Sequence, residues 1–283
     1  MLRPLTMIRP KFVELTRVML GKIGLSVIKK SQLDGHLVNS KAAFDLKFLR
    51  NMPEQSMHKL IDLMLESKSQ LRQDLFVITA LNFKTRGTFV EFGATDGVTL
   101  SNSWMLEARF EWSGVLAEPA RIWHNSLAEN RVCAIDHCCV WRTSGDNIKF
   151  HETNWSEIST AAEFLDADHH GTLRKSARSY NVQTISLIDL LTKHHCPTVI
   201  DYLSIDTEGS ELSILENFDF SIFRFRVITC EHNFTRNRDD IYRLLVSKGY
   251  IRVLENISEF DDWYVLPDEI ENYDFLQFIS DLS

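Results

Sequence analysis

The stretch Phe89–Val98, FVEFGATDGV, decides how the rest of the chain is read. Thr88–Phe92 is a short apolar run, which Gly93 and Gly97 then break. An apolar strand that runs into a glycine turn and onward into a helix is how a nucleotide-binding α/β unit begins. The segment after the turn, VTLSNSWMLEARFEW (98–112), fits that helix, with Trp104, Leu106 and Phe110 turned inward.

The turn departs from the dinucleotide pattern GxGxxG, whose glycines let a pyrophosphate approach a helix N-terminus. Glu91 stands where the first glycine belongs, and Asp96 immediately precedes the last. Two carboxylates there repel a pyrophosphate and suit a cofactor with a cationic end, an ammonium or a sulfonium. That chemistry points to S-adenosylmethionine, whose methionine part is zwitterionic. A nicotinamide-linked dehydrogenase is disfavoured for the same reason.

Outward from the turn, the alternation continues. Gly114–Ala117 reads as a second strand ending in Glu118-Pro119, followed by a helix over Ala120–Glu129 and a third strand around Arg131–Asp136. Val199–Ile205 reads as a fourth, ending in Asp206, with a helix over Ser210–Asn217. Phe225–Cys230 reads as a fifth, ending in Glu231-His232-Asn233. A helix over Asp239–Ser247, capped by its Asp and stopped by Gly249, leads to a closing hairpin of Tyr250–Glu255 and Trp263–Leu266. Strands alternating with helices through short connections predict an α/β fold: a mostly parallel sheet with helices on both faces. Between Trp141 and Thr198 the rhythm breaks. Ile148–Glu152 fits an extra strand, Asp166–Tyr180 is polar with Arg174, Lys175 and Arg178, and Ser186–His194 is helical. The polar pair His169-His170 reads as solvated loop. Upstream, residues 1–75 read as helical, broken near Ser31–Ser40 and at Pro53, and Asp74–Asn82 is an apolar helix.

Ligands of open parallel sheets bind at the carboxyl ends of the strands, and four strands here end in acidic or polar residues. Glu118, 21 residues past Gly97, is placed to accept both ribose hydroxyls of an adenosine. Asp136 is a candidate for the adenine amino group. The ends of strands four and five can be neighbours, which would bring Asp206, Glu208, Glu231 and His232 into one cleft. Methyl transfer to a hydroxyl needs a base at the acceptor oxygen, and histidine is best poised near neutral pH. Asp206, Glu208 and His232 are therefore the expected catalytic group. Asp206, Glu231 and His232 are also candidate ligands for a divalent cation.

The motifs VEFGATDG (90–97), LAEP (116–119), ISLIDLL (185–191), LSIDTEGSELSILENFDF (203–220) and ITCEHN (228–233) occur in the order of the FkbM-type S-adenosylmethionine-dependent methyltransferases, and the chain resembles that family from about Ser69 to Leu266. The resemblance implies a class I methyltransferase-like, Rossmann-like sheet with an antiparallel last strand. It implies methylation of an oxygen, with sugar, glycan or natural-product hydroxyls as the usual acceptors and polysaccharide biosynthesis as the setting. It places Glu91, Gly93 and Gly97 at the methionine and ribose, Glu118 at the ribose, and Asp206 and Glu208 beside the transferred methyl. With Ala94, Thr95, Asp96 and Asp136 these make up the expected cofactor-binding set. A catalytically silent binding or assembly subunit on the same fold is the alternative. The expected organisation is a helical extension over 1–68 and a methyltransferase domain over 69–275. The insert 142–182, with its Arg174, Lys175 and Arg178, is the expected acceptor-specificity region.

Composition bounds the setting. Among 283 residues the net charge is −8, yet residues 1–50 hold ten Lys/Arg against three Asp/Glu, a local +7 that leaves −15 on the rest. An acidic body argues against nucleic acid as a partner, whereas the basic arm suits a peripheral membrane contact or a homo-oligomeric partner. Five cysteines without a CxxC pair fit a reducing cytoplasm. No run approaches the ~20 apolar residues that span a bilayer.

Overall fold

The computed structural model describes residues 30–152, 160–161, 178–207 and 209–282. Residues 1–29 of the basic arm, much of the polar insert including His169, His170, Arg174 and Lys175, and Glu208 lie outside the described residues. The chain divides into two compact units, residues 1–47 and 48–283. Phe48, Met52 and Leu60 are buried in the second unit, so the body takes in chain that the sequence assigned to the extension. No described helix is long and apolar enough to cross a membrane.

Helix α1 (Lys30–Arg50) is continuous across 31–40, where a break was expected. A single interior glycine such as Gly35 costs a helix about 1 kcal/mol, too little to interrupt 21 residues. The break at Pro53 is present. A 3₁₀ turn over Glu54–Ser56 precedes α2 (Met57–Leu63). Every residue of α3 (Gln73–Ala80) is buried.

The main sheet has seven strands, β1 (Thr88–Phe92), β2 (Ser113–Ala117), β3 (Ala134–Asp136), β8 (Val199–Ile205), β9 (Arg224–Glu231), β10 (Ile251–Val253) and β11 (Asp261–Val265), in the order β10-β11-β9-β8-β1-β2-β3. All neighbours pair in parallel except β11, which runs antiparallel to both β9 and β10. This is the expected mostly parallel sheet with a reversed last strand. Strand order reverses between β1 and β8, the point at which open α/β sheets leave a crevice.

Alternation along each strand sends neighbouring side chains to opposite faces. Val90, Phe92, Leu203, Ile205 and Ile228 join one large core with residues of α6 (Leu187–Lys193), α7 (Glu211–Glu216) and α8 (Asn237–Ser247). On the opposite face Phe76 of α3 stacks on Trp263 at 4.7 Å and lies 6.2 Å from Phe275 of α9 (Tyr273–Leu282). Truncating an aromatic as buried as Trp263 costs about 3–5 kcal/mol. Ser186 caps α6 by accepting the Asp189 N–H at 3.1 Å, and the Asp189 carboxylate accepts the Ser186 hydroxyl in return at 2.8 Å.

A second sheet, ordered β4-β7-β5-β6, is built from β4 (Cys139–Trp141), β5 (Asn147–Glu152), β6 (Thr160–Ala161) and β7 (Arg178–Ser186). β5 is the expected extra strand. β7 reads as polar in sequence because only Val182, Thr184 and Ile185 of it are buried, while Arg178, Asn181 and Gln183 face outward. Other boundaries shift for local reasons. Helix α4 starts at Trp104 rather than after Gly97, because residues 101–103 wrap around Glu91. In α4, Met105 and Leu106 are buried, whereas Trp104 and Phe110 are half-buried. Helix α5 is His124–Asn130, and α8 starts at Asn237, so Asp239 lies within its first turn and favours the helix dipole rather than capping it. α9, absent from the sequence reading, buries Phe275 and Ile279.

Candidate active site

A cleft of about 1130 Å³, counting the space at its open mouth, lies across the carboxyl edge of the main sheet. Its walls take Glu91 and Gly93 from the β1 end, Glu118 from the β2 end, Ser204 and Asp206 from the β8 end, and Thr229 from β9. Asp261 enters from the start of β11, because that strand runs the other way and so presents its first residue at this edge. Four carboxyl side chains, Glu91, Glu118, Asp206 and Asp261, line the cleft, and no Lys, Arg or His does among the described residues. Trp141 of β4 and Phe150 of β5 supply an aromatic wall from the second sheet.

The glycine turn is held from below. Gly93 has φ +71°, and a Cβ there would sit on the carbonyl oxygen of Asp206, so glycine lets the β1 and β8 ends close up. Glu91 accepts the Ser101 hydroxyl at 3.0 Å, the Asn102 N–H at 2.8 Å and the Ser103 hydroxyl. Arg131, fully buried, pairs with Glu107 and donates to the Gly97 carbonyl at 3.0 Å and to the Ser103 hydroxyl at 2.9 Å, with Glu91 at 3.9 Å. Asp96 accepts the N–H groups of Val98 and Thr99 at 2.8 and 2.7 Å and the Thr99 hydroxyl at 2.7 Å, and these bonds depress its pKa against the opposing effect of burial. Asp96, Ala94 and Gly97 shape the turn and do not line the cleft, whereas Thr95 does. The carboxylate anticipated at Asp96 is therefore not part of the cleft wall, whereas those of Asp206 and Asp261 are.

Glu118 receives the Thr95 N–H at 2.9 Å on one oxygen and the Ala120 N–H at 2.7 Å on the other. Burial pushes its carboxyl up to about 7 despite those donors, with Asp206 and Glu152 adding to the rise. Each oxygen keeps a lone pair for a ligand. Burial likewise pushes Asp261 up to about 7, opposed by its hydrogen bond from Gln73 Nε2 at 2.8 Å and reinforced by Asp206.

The loop after β8 is folded by Glu211, whose carboxylate accepts the N–H groups of Thr207 and Gly209 and the Thr207 hydroxyl. This places Thr207 and Ser210 on the cleft wall.

Three expected site residues lie elsewhere. Asp136 does not line the cleft; Lys193 at 2.7 Å and His194 at 2.9 Å take its carboxylate and, with the Cys138 N–H, hold its pKa far down against burial. Glu231 and His232 are also absent from the walls. His232 is buried behind Phe260, its Nδ1 accepting the Phe234 N–H at 3.0 Å and its Nε2 lying 3.7 Å from Asp262. Burial lowers its pKa, so the ring is held neutral. Alternation on β11 explains the separation: Asp261 faces the cleft, whereas Asp262 turns to Arg238, Arg252 and His232. Among the described residues no three His, Cys, Asp or Glu side chains converge to hold a metal ion, so Asp206, Glu231 and His232 do not form the anticipated cation set.

Solved structures overlap the chain only in part. An RNA methyltransferase assignment from Pyrococcus horikoshii is 11% identical, with a TM-score of 0.34, over 64% of this chain and 66% of that one, just under two thirds of its length. The precorrin-6y C5,15-methyltransferase of Geobacter metallireducens is 10% identical, with a TM-score of 0.35, over 68% of this chain and 85% of that one. Likeness at this level carries no weight, and the fold rests on the strand order above. No curated protein matches the chain significantly. The family model described as the methyltransferase FkbM domain matches residues 91–273, more than half of the sequence and every strand of the main sheet but the residues before Glu91. The chain belongs to the FkbM methyltransferase family.

Proposed function

We propose that the protein is an S-adenosylmethionine-dependent O-methyltransferase whose acceptor is a hydroxyl of a neutral sugar or glycan. The observation that carries this reading is the cleft at the switch point, lined by four carboxyl groups and by no cationic side chain among the described residues. A carboxylate attracts a unit positive charge by roughly 4 kcal/mol at 4 Å in an effective dielectric of about 20. The same field disfavours an anionic acceptor. The residues fit the cofactor: Glu118 keeps acceptor capacity for two ribose hydroxyls, and Gly93 and Thr95 bring the backbone of the turn to the cleft wall beside it. When bound, the cofactor supplies a methyl group made electrophilic by a sulfonium.

The protein's own share is positioning. Arg131 and Glu91 fix the turn, Glu118 holds the nucleoside end, and Asp206 sits where β8 meets the turn. Trp141 and Phe150 offer apolar faces on which a sugar ring packs and from which water is excluded. Calorimetric titration with S-adenosylhomocysteine, followed by a labelled methyl-transfer screen against neutral oligosaccharides and nucleotide sugars, tests the reading. Binding of the homocysteine form together with label incorporation into a neutral sugar is expected, and absence of binding would sink the cofactor assignment.

A further inference from the structure

The five strand ends β2, β1, β8, β9 and β11 that meet the cleft are neighbours in the sheet, and at about 4.8 Å per strand they span roughly 19 Å. Glu118 marks one end of that span and Asp261 the other. With the nucleoside on Glu118 and the turn over β1, the transferred methyl falls near β8 and the acceptor must approach from the β9–β11 side. Asp261 is the carboxyl presented there. It is 4% exposed, it is fixed by Gln73 of the buried helix α3, and it lies within electrostatic reach of Asp206. Of the two bases expected from sequence, His232 faces away toward Asp262, and Asp206 closes β8 beside the glycine turn.

Resting on the methyltransferase reading above, we propose that Asp261 is the group that orients the acceptor hydroxyl and takes its proton as the methyl group moves. A lone pair of the acceptor oxygen forms the new bond to the methyl carbon, and the carbon–sulfur pair withdraws onto sulfur. The hydroxyl proton passes to Asp261. The sulfonium charge is thereby lost as the carboxylate is neutralised, and the step balances without a further reactant. A carboxyl lifted to about 7 by burial is matched to this exchange near neutral pH. Gln73 donates to one carboxylate oxygen and the Trp263 side chain also bears on the carboxyl, whose two oxygens together keep acceptor capacity for the incoming hydroxyl.

Sinefungin carries a primary amine where the cofactor carries its methyl group, so it places a cation and donor at the position Asp261 is assigned to face. The test compares its dissociation constant with that of S-adenosylhomocysteine by calorimetry on the full chain. The wild type is expected to bind sinefungin at least tenfold more tightly. Asp261→Asn should erase most of that gap while S-adenosylhomocysteine stays within twofold. An unchanged gap, or an equal loss for both ligands, would overturn the assignment, the second by showing a structural role. If Asp261→Asn does not fold, Gln73→Ala keeps the charge but releases the carboxylate, and should narrow the gap at least threefold; no narrowing overturns the proposal equally. Failure of the wild type to bind S-adenosylhomocysteine would instead remove the reading beneath it.

Discussion

On the β1 side of the cleft, Glu91 is buried beside three hydrogen-bond donors and the Arg131 guanidinium. On the β11 side, Asp261 is as deeply buried but is met by the neutral side chains of Gln73 and Trp263, with no cation beside it among the described residues, and feels Asp206 besides. The two carboxyls border the same space and are treated in opposite ways. A carboxylate whose charge is met inside the protein is structure, whereas one left facing like charge is held ready for a cation from outside. The cleft wall also separates Asp96 and Asp136, which turn to local donors and to Lys193 and His194 and do not line it, from Glu118 and Asp206, which do.

The largest effect should come from breaking the compensated side. Replacing Arg131 by Met leaves Glu91 and Glu107 buried without their cation, which costs about 3–5 kcal/mol. Urea unfolding reads this directly, and adding Glu91→Gln should recover part of the loss, since the two residues share one network. A loss below about 1 kcal/mol would show that Glu91 is not charge-compensated and would dissolve the comparison.

The ligand-facing side should respond in affinity as well as in stability. Glu118→Ala removes a charged acceptor and should weaken S-adenosylmethionine binding about 10- to 100-fold, corresponding to hydrogen bonds to a charged group of about 1.5–3 kcal/mol. Thermal stability should also fall, because the Thr95 and Ala120 N–H groups lose their acceptor, but by less than in Arg131→Met. An unchanged dissociation constant would count against the ribose role.

How much of this was legible follows from where each acid sits in its strand. Glu118 and Asp206 close parallel strands, so an apolar run followed by an acid announces them. Asp261 opens an antiparallel strand, so the same edge is marked by an acid before the apolar run, and a search of strand ends passes it by. His232 and Asp136 were placed by sequence at the right edge, but position does not say which way a side chain turns. The competing partners, Asp262 for one and Lys193 with His194 for the other, come from distant segments. Arg131 was read as strand because its neighbours are apolar, and nothing local reveals that its side chain reaches back to the glycine turn. The mostly parallel sheet was legible because strand and helix periods alternate cleanly, whereas its strand order was not read from the sequence. The aromatic wall was not legible, because Trp141 and Phe150 lie where the strand–helix rhythm breaks and nothing local says which sheet they join.

A smaller effect appears with pH. Glu118 and Asp261 are both raised to about 7 in the fold, above the values of about 4 that they take when unfolded. The folded state therefore holds protons that the unfolded chain has lost, and this contribution to stability is complete below about pH 4 and is lost as pH rises through 7. Ionisation of the same groups favours a cationic ligand. Without ligand, Tm should be lower at pH 8 than at pH 6, while S-adenosylmethionine binds more tightly at pH 8. Parallel trends in the two measurements would break the link between the raised carboxyls and the cofactor.

The smallest effect on the ligand should come from His232, and it sharpens the comparison most. Its ring is neutral, holds the Phe234 N–H and looks toward Asp262 on the far side of β11. His232→Ala strands that N–H and should cost about 1–3 kcal/mol of stability, visible in urea unfolding. Because Phe260 and Asp261 stand between it and the cleft wall, affinity for S-adenosylmethionine should stay within about twofold, under about 0.5 kcal/mol. A variant that keeps its fold but loses the cofactor would put His232 in the cleft after all. It would also mean that alternation along β11, which assigns Asp261 to the ligand and Asp262 to the protein, has been read from the wrong face.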